Sequence, residues 1–325
     1  MTTTTQQARM SEAERAARQS GLGMRIYHFL KAIPTWVLWL LVILWSLPTF
    51  GLFVNSFRTR DAQRASGWWT AFTSGTEGWT LDNYVDVLGA EATGGLWNGL
   101  LNSFAIAIPA TVIPIAIAAF AAYAFAWVDF RGREWMFIIT VSLMAIPLQV
   151  ALIPLLQLYS GGAHFTIPLV DKTMTLIPDL DLAGNVTAVW LTHTGFGLPF
   201  AIFLLHNYIS GLPKDVFESA FIDGAGHFTI FWRLVVPLSV PVLAAFAIFQ
   251  FLWTWNDYLI ALTMLGANRD SMPATVVIAS LAGEFGLREH LLTAGAFIQS
   301  FVPIVVFFAL QRYFVRGILA GSVKG

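Results

Sequence analysis

The sequence has no cysteine and few charged residues. Without cysteine there can be no disulfide bond, thiolate metal ligand or cysteine nucleophile. Only 11% of the 325 residues are charged, less than half of the about 25% typical of soluble domains. Because 57% of the residues are hydrophobic, we expect most of the surface to face lipid. The net charge of −1 provides no basic field that would attract nucleic acid.

The motifs of several enzyme classes are also missing. There is no G-x-x-x-x-G-K-[ST] phosphate loop, no G-x-G-x-x-G dinucleotide fingerprint and no H-E-x-x-H zinc motif. No nucleophile elbow or catalytic triad is visible. We therefore expect neither catalysis nor ATP hydrolysis by this chain itself. The six histidines lack metal-ligand spacing, so we interpret them as pore-lining or packed side chains: His28, His164, His193, His206, His227 and His290.

The most prominent feature of the sequence is a set of long apolar runs. A membrane-crossing helix needs about 20 mainly apolar residues, and six runs meet that length. Several contain interior prolines, which are tolerated where neighbouring helices or waters satisfy the freed carbonyls. We predict an all-α membrane protein whose six transmembrane helices cover residues 34–54, 96–128, 135–159, 186–209, 237–265 and 291–315.

The basic residues indicate the orientation of these helices. If the N-terminus is inside, twelve of the 18 lysines and arginines fall on the inner side, which predicts that both termini are cytoplasmic. The cluster Arg58–Arg64 opposes this assignment. The polar N-terminal segment lacks an apolar core before a small-residue cleavage site, so we expect no cleaved signal peptide. The long outer segments, 57–95 and 160–185, have no assigned role.

The longest inner segment, residues 211–237, predicts a short helix followed by a sharp turn. Pro213 suits the first helical position, and acidic Asp215 suits the positive end of the helix dipole. Gly224 should end the helix, because glycine adopts the left-handed capping conformation readily. A helix lying on the membrane surface is the simpler interpretation. It does not explain the small residues around the turn, which would let another protein approach the backbone closely.

The run ESAFIDGAGHFTIFWRLVVPLSVPVL resembles the EAA loop of ABC-importer permeases. The family pattern is E-A-A, three residues, G, nine residues, then I-x-L-P. Here Glu218, Ala220 and Gly224 match it, whereas Ser219 replaces the second alanine. The apolar positions before Pro237 are also conservative replacements. The resemblance implies a type I ABC importer permease fold.

Further motifs resemble the carbohydrate-uptake branch of that family. They are WTLDNY at 79–84, LNS at 101–103 and WNDY at 255–258. The ending GILAGSVKG looks like the C-terminal tail of MalG-type permeases of maltose importers, which reaches between the two ATPases. The resemblance thus implies ATPase-interface roles for Gly321, Ser322, Val323, Lys324 and Gly325.

The resemblance also implies the partners. They are a second, MalF-type permease, two ABC ATPase subunits that bind the ATP and magnesium, an extracytoplasmic sugar-binding protein and the lipid of the bacterial cytoplasmic (inner) membrane. This chain would bind no cofactor or metal. It would carry a sugar such as maltose, trehalose, another α-glucoside or an oligosaccharide by alternating access. The residues expected to couple it to the ATPases are Val216, Phe217, Glu218, Ser219, Ala220, Asp223, Gly224 and Pro237.

A candidate translocation pathway lies in the predicted fifth span. Asp257 is the only acidic residue that we place deep inside a span, and such groups usually face a cavity or a partner. Aromatic faces beside polar amides suit sugar rings. The alternative is that Asp257 and Asn256 fix a contact between helices while the tryptophans form an interfacial belt. The candidate pathway residues are Trp253, Trp255, Asn256, Asp257 and Tyr258.

We divide the chain into a cytoplasmic N-terminal tail (1–33), a permease domain (34–316) and a cytoplasmic C-terminal tail (317–325). Three other functions remain open. An ABC permease for a non-sugar solute is the nearest, and the tail and WNDY argue against it. An ion-coupled secondary transporter would need coupling carboxylates at mid-membrane, where only Asp257 lies. A membrane-embedded enzyme would need a cluster of intramembrane catalytic side chains, and none is visible.

Overall fold

The structure is a computed structural model. It describes Gly23 and residues 33–322, except positions 74, 76, 90–94, 168–171, 267 and 283–287. Nearly all of the predicted N-terminal tail, together with Val323, Lys324 and Gly325, lies outside the described residues. Gly321 and Ser322 lie within a helix that continues to Ser322.

Helices account for most of the described chain, which confirms the all-α prediction. In the part of the chain that the structure describes, five helices are long and apolar enough to cross a membrane, and a bent pair forms the sixth candidate span. In chain order the α-helices are α1 Thr35–Ser56, α2 Arg60–Ala65, α3 Asp82–Gly89, α4 Leu96–Trp127, α5 Arg133–Ser142, α6 Leu148–Gly161, α7 Val186–Ile209, α8 Lys214–Ile222, α9 His227–Ile230, α10 Val236–Trp255, α11 Leu259–Leu265, α12 Ala274–Leu281 and α13 Glu289–Ser322.

Helix α4 lies at the centre of the bundle, where it packs against α7, α10 and α12. Its buried face is lined by alanines, among them Ala107, Ala110, Ala118 and Ala122. Small side chains let neighbouring helices approach closely without a cavity. Helix α13 packs against α10, α3 and α1. We call the end of the bundle that carries α8 the inner end and the opposite end the outer end.

The third predicted span, 135–159, consists of two helices with a sharp bend between them. Helix α5 and the 3-10 turn Leu143–Ala145 are bent by 104° from α6. The break lies at Pro147, which precedes α6. A residue before proline is pushed into extended backbone, and Ile146 has ψ 116°.

The fifth span also differs from the prediction of one helix over 237–265. It begins at His227, because α9, a π-helical turn (Phe231–Val235) and α10 form one continuous 29-residue helix. Burial of Phe231, which stacks on Phe120 with ring centroids 4.2 Å apart, extends the packed helix inward past Pro237. At the other end this helix stops at Trp255, and α11 follows as a separate helix.

The outer segment 160–185 contains a β-hairpin that the sequence analysis did not predict. Strands β1 (Ala163–Ile167) and β2 (Lys172–Ile177) are antiparallel, with Phe165 paired to Met174. The hairpin lies between the third and fourth candidate spans, at the outer end of the bundle.

Candidate functional site

The inner turn has the predicted geometry. Helix α8 starts after Pro213, one residue later than expected, and it ends in a glycine cap at Gly224 with φ +79°. The Ala225 N–H donates to Ala220 O and the Gly224 N–H donates to Phe221 O, both at 3.0 Å. This pair of bonds is the Schellman motif, which satisfies carbonyls left open at the helix end. The turn therefore has a defined shape.

Phe217 fastens the turn to the bundle. Its side chain is 0% exposed, and its ring stacks on Trp127 with centroids 4.0 Å apart and planes 11° apart. Trp127 Nε1–H also donates to Ile209 O at 3.3 Å. Phe217 thus serves as an anchor, and it is not part of the turn's free surface.

A second contact joins the same span to the other side of the turn. Tyr123 lies one helical turn before Trp127 on α4, and its hydroxyl is 2.9 Å from His227 Nδ1. The inner end of α4 therefore contacts both α8 and α9. In the sequence, the inner segment directly connects only the fourth and fifth predicted spans. The spacing of Tyr123 and Trp127, four residues apart, was the signal for a contact with the second span.

The rest of the turn presents a free face. Among the predicted coupling residues, Ala220 is partly buried, and the exposed ones are Val216, Glu218, Ser219, Asp223, Gly224 and Pro237. Ile222, which the prediction omitted, is 85% exposed. A Cβ atom built on Gly224 or Gly226 would meet nothing within 4 Å. The face combines small, apolar and acidic residues without obstruction from this chain.

Asp257 was predicted to lie deep inside the fifth span. In the structure it lies in the break between α10 and α11. Its carboxylate accepts the backbone N–H groups of Ile260 (3.3 Å) and Ala261 (2.9 Å) at the start of α11. Oδ2 also lies 3.6 Å from Nε2 of the fully buried His193. Asp257 therefore joins α11 to α7, which fits the helix-contact interpretation.

The other candidate pathway residues divide into two groups. Trp255 is buried against Phe104, whereas Trp253 packs edge-on against His193 with ring centroids 5.0 Å apart. Asn256 and Tyr258 are exposed, and the Asn256 amide donates to Leu252 O of its own helix at 2.8 Å. Only these two present polar groups outward.

The motifs of the second and fifth spans converge at the outer end. Asn102 donates to Asp270 O (2.8 Å) and Met272 O (3.1 Å). Ser103 Oγ accepts the N–H of Ala274, the first residue of α12, at 2.9 Å. The next residue along, Thr275, donates its hydroxyl to Asp257 O at 2.6 Å. LNS and WNDY thus hold α12 from two sides.

The WTLDNY motif fastens α3 to the outer end of α1. The buried Asn83 amide donates to Ser56 O and to the carbonyl of Arg58, both at 2.9 Å. The Tyr84 hydroxyl is 2.7 Å from Ser56 Oγ. Among the described residues, no group of three His, Asp or Glu side chains could hold a metal ion.

Comparison with known proteins gives a consistent result. The family model for the binding-protein-dependent transport system inner membrane component matches residues 114–320. The osmoprotective compounds uptake permease protein GgtD of Synechocystis sp. is 48% identical over 97% of this chain and 100% of its own length. The alpha-glucoside transport system permease protein AglG of Rhizobium meliloti is 40% identical over 88% of this chain and 95% of its own.

A solved structure shares the fold. The crystal structure of a bacterial ABC transporter involved in the import of the acidic polysaccharide alginate contains a chain that superposes with a TM-score of 0.64. The match covers 89% of this chain and 97% of that one, at 20% sequence identity. That similarity supports the type I importer fold of the bundle.

Proposed function

Because the chain belongs to the family of binding-protein-dependent transport system inner membrane components, we propose that it is the sugar-conducting permease subunit of an ATP-driven importer. It acts in a bacterial cytoplasmic membrane with a second permease, two ATPase subunits and an extracytoplasmic sugar-binding protein. ATP hydrolysis takes place on the ATPase subunits. The observation that carries the proposal is the turn 213–226 at the inner end, which is anchored to the bundle and has an unobstructed free face.

The turn is suited to transmit force. Gly224 gives it one backbone shape, and the Phe217–Trp127 stack and the Tyr123–His227 contact fix it to the second span. The fifth span continues directly from His227. Movement of the ATPase surface that is proposed to hold α8 would therefore tilt several spans together. ATP and sugar shift the inward–outward balance only by their different affinities for the two states.

The substrate class that we propose is the α-glucosides. One relative is named for alpha-glucoside transport and another for osmoprotective compounds. A non-reducing α-glucoside such as trehalose fits both names, since it lacks a reactive aldehyde and can accumulate without harm. Maltose is the reducing counterpart.

The test is uptake into vesicles that contain the complete complex. We expect import of radiolabelled trehalose or maltose to need both ATP inside the vesicle and the binding protein outside. Collapse of the proton and sodium gradients should leave the rate unchanged. Uptake that follows a gradient without ATP would establish a secondary transporter instead. Import of a non-sugar solute, with no sugar bound in a thermal-shift screen of the binding protein, would overturn the substrate class.

The C-terminal residues 321–325 form part of the same proposal. Helix α13 continues to Ser322, and the residues that end the chain are proposed to contact the ATPase subunits. Deletion of these five residues should lower the amount of sugar transported per ATP hydrolysed. Unchanged coupling in the truncated complex would remove the tail from the ATPase interface.

A further inference from the structure

Three interior prolines each remove the helical hydrogen bond to one backbone carbonyl. Proline has no N–H, so the carbonyl four residues before it loses its helical partner. For Pro109, Pro114 and Pro303 the open carbonyls belong to Ala105, Ala110 and Gln299. All three prolines lie inside continuous helices, α4 and α13. In an apolar surrounding an open carbonyl strongly destabilises the structure, because no water can replace the missing donor.

A side chain from a neighbouring helix donates to each of these carbonyls. Trp190 Nε1–H on α7 donates to Ala105 O at 3.0 Å. Gln250 Nε2–H on α10 donates to Ala110 O at 3.1 Å. Trp255 Nε1–H, also on α10, donates to Gln299 O of α13 at 3.2 Å. The donors link α7 to α4, α4 to α10, and α10 to α13.

Gln250 is the most buried of the three donors, and it donates to carbonyls of two other helices. Its side chain is 0% exposed, and its amide also lies 3.4 Å from the carbonyl of His193 on α7. Gly197 provides the space, because a Cβ there would lie 2.7 Å from Gln250 Oε1. One amide on α10 therefore contacts two other spans, α4 and α7, at the point where Pro114 interrupts the backbone bonding of the central helix.

We propose that Gln250, supported by Trp190 and Trp255, is a positioning residue that locks the proline-interrupted spans together and carries the tilt of the inner turn to the outer end. This inference rests on the proposed function. Sliding of α10 along α4 would remove the donor from Ala110 O and leave that carbonyl unpaired. These three hydrogen bonds thus disfavour sliding, so that movement at α8 becomes movement of the outer end of the bundle.

Removal of both the donor and the proline tests the proposal. Gln250→Met keeps a side chain of similar length but has no N–H to donate. We expect it to lower the sugar transported per ATP by about tenfold, because sliding of α10 along α4 then no longer breaks the Gln250 hydrogen bond, which is worth about that factor. Pro114→Ala supplies a backbone N–H that satisfies Ala110 O directly. The double variant Gln250→Met/Pro114→Ala should therefore recover most of the lost coupling.

A side chain that only fills space would not behave in this way. If proline removal does not rescue Gln250→Met, so that the two effects simply add, the positioning role is overturned. The pair Trp255→Phe/Pro303→Ala repeats the test at a second site, should Gln250→Met fail to assemble. Rescue at that site supports the proposal, and additivity there overturns it.

The melting temperature of the purified complex distinguishes this inference from the proposed function. It should fall in Gln250→Met and recover in the double variant, whether or not any sugar is transported. A wild-type complex that imports no sugar contradicts the proposed function alone. A wild-type complex that imports sugar, with no rescue in the melting temperature, contradicts the lock alone.

Discussion

Gly224 and Gly226 are glycines for different reasons. Gly224 has φ +79°, a conformation that side-chain-bearing residues rarely adopt, so its identity is required by the backbone. Gly226 has φ −75° and ψ 162°, which any residue adopts. Since a Cβ at either position would meet nothing within 4 Å, only a partner protein could require that Gly226 be small.

Gly226→Leu therefore tests for a partner without disturbing this chain. We expect normal membrane insertion and a loss of uptake of about tenfold or more, since overpacking a fitted contact costs roughly 1–3 kcal/mol. Gly226→Ala is the matched control and should lose much less. Uptake assays on cells with equal permease levels measure both variants. Normal uptake by Gly226→Leu would show that no partner packs closely at this point.

Arg58 explains one of the three positive charges that the outer cluster 58–64 carries against the orientation rule. The guanidinium is buried, and it donates to Ser66 O (3.0 Å), Ala62 O (2.7 Å) and Asn55 Oδ1 (3.1 Å). Burial lowers the pKa of Arg58, yet a guanidinium keeps its proton in proteins. Arg58 therefore folds the segment that follows α1, and it contributes little to orientation.

Arg58→Met should destabilise this segment. It leaves several carbonyl and hydroxyl acceptors without a donor, and we expect a cost of about 2–3 kcal/mol. The measurement is the melting temperature of the purified complex. Arg64→Met is the control, because Arg64 is exposed on the same segment and should have little effect. Equal melting temperatures for the two variants would contradict the structural role of Arg58.

At this scale the sequence predicts capping positions well and buried polar networks poorly. Gly224 was predictable because a glycine that ends a short helix has a local cause. The role of Arg58 was not, since its acceptors are mostly backbone carbonyls whose positions depend on the folded loop. The position of Asp257 in a helix break was likewise hidden, because the apolar run continues through WNDY without a proline or glycine.

At the scale of helices, the sequence could not distinguish a proline that lies inside a continuous helix from a proline that separates two helices. Pro109 and Pro114 lie inside one continuous helix, whereas Pro147 separates two helices bent by 104°. Around α4, Trp190 and Gln250 satisfy the freed carbonyls from other helices. The carbonyl freed by Pro147, that of Leu143, instead accepts the nearby Ile146 N–H at 3.1 Å in a tight turn. At Pro109 and Pro114 the freed carbonyl has a donor on another helix, whereas at Pro147 the donor lies within the turn itself.

The stack of Trp127 on Phe217 gives a prediction for the inner end. Trp127→Ala removes both the stack and the hydrogen bond to Ile209 O, at a cost of about 3 kcal/mol. We expect α8 to loosen, so that ATP hydrolysis continues while sugar uptake falls. Trp135→Ala is the control, because Trp135 is a largely exposed tryptophan at the start of α5. Transport and hydrolysis that stay in proportion in Trp127→Ala would contradict the anchoring role.

Asp257 gives a prediction that separates a helix contact from a sugar contact. Asp257→Leu removes the acceptor for the Ile260 and Ala261 N–H groups and leaves His193 without its carboxylate. We expect a lower maximal uptake rate with an unchanged KM for the sugar. Asp257→Asn keeps an acceptor and should lose less. A raised KM with an unchanged maximal rate would instead place Asp257 in contact with sugar.

The whole molecule is organised around α4, and this was only partly predictable. The apolar run lengths indicated the spans, and the Ala-rich composition of the second run indicated close packing. The hairpin β1–β2 was missed, although residues 173–176 of β2 alternate polar and apolar side chains. Such alternation is a weak signal over four residues, and a long outer loop in an otherwise helical chain hid it.

The convergence of LNS and WNDY on α12 also belongs to the whole molecule. The two motifs are more than 150 residues apart in the sequence, and Ser103 and Asp257 both reach adjacent residues of that helix. No local sequence pattern predicts a contact between motifs so far apart. It gives the outer end of the bundle a rigid frame to which movement at the inner end can be transmitted.

The most direct test of the account is a crosslink from the free face of α8. Because the chain has no cysteine, Ser219→Cys introduces a single reactive position on this exposed face. A short bifunctional reagent should join it to an ATPase subunit in the assembled complex, and Asp179→Cys in the outer segment should give no such product. If Ser219→Cys yields no ATPase adduct while the complex still transports sugar, the turn does not couple the two subunits.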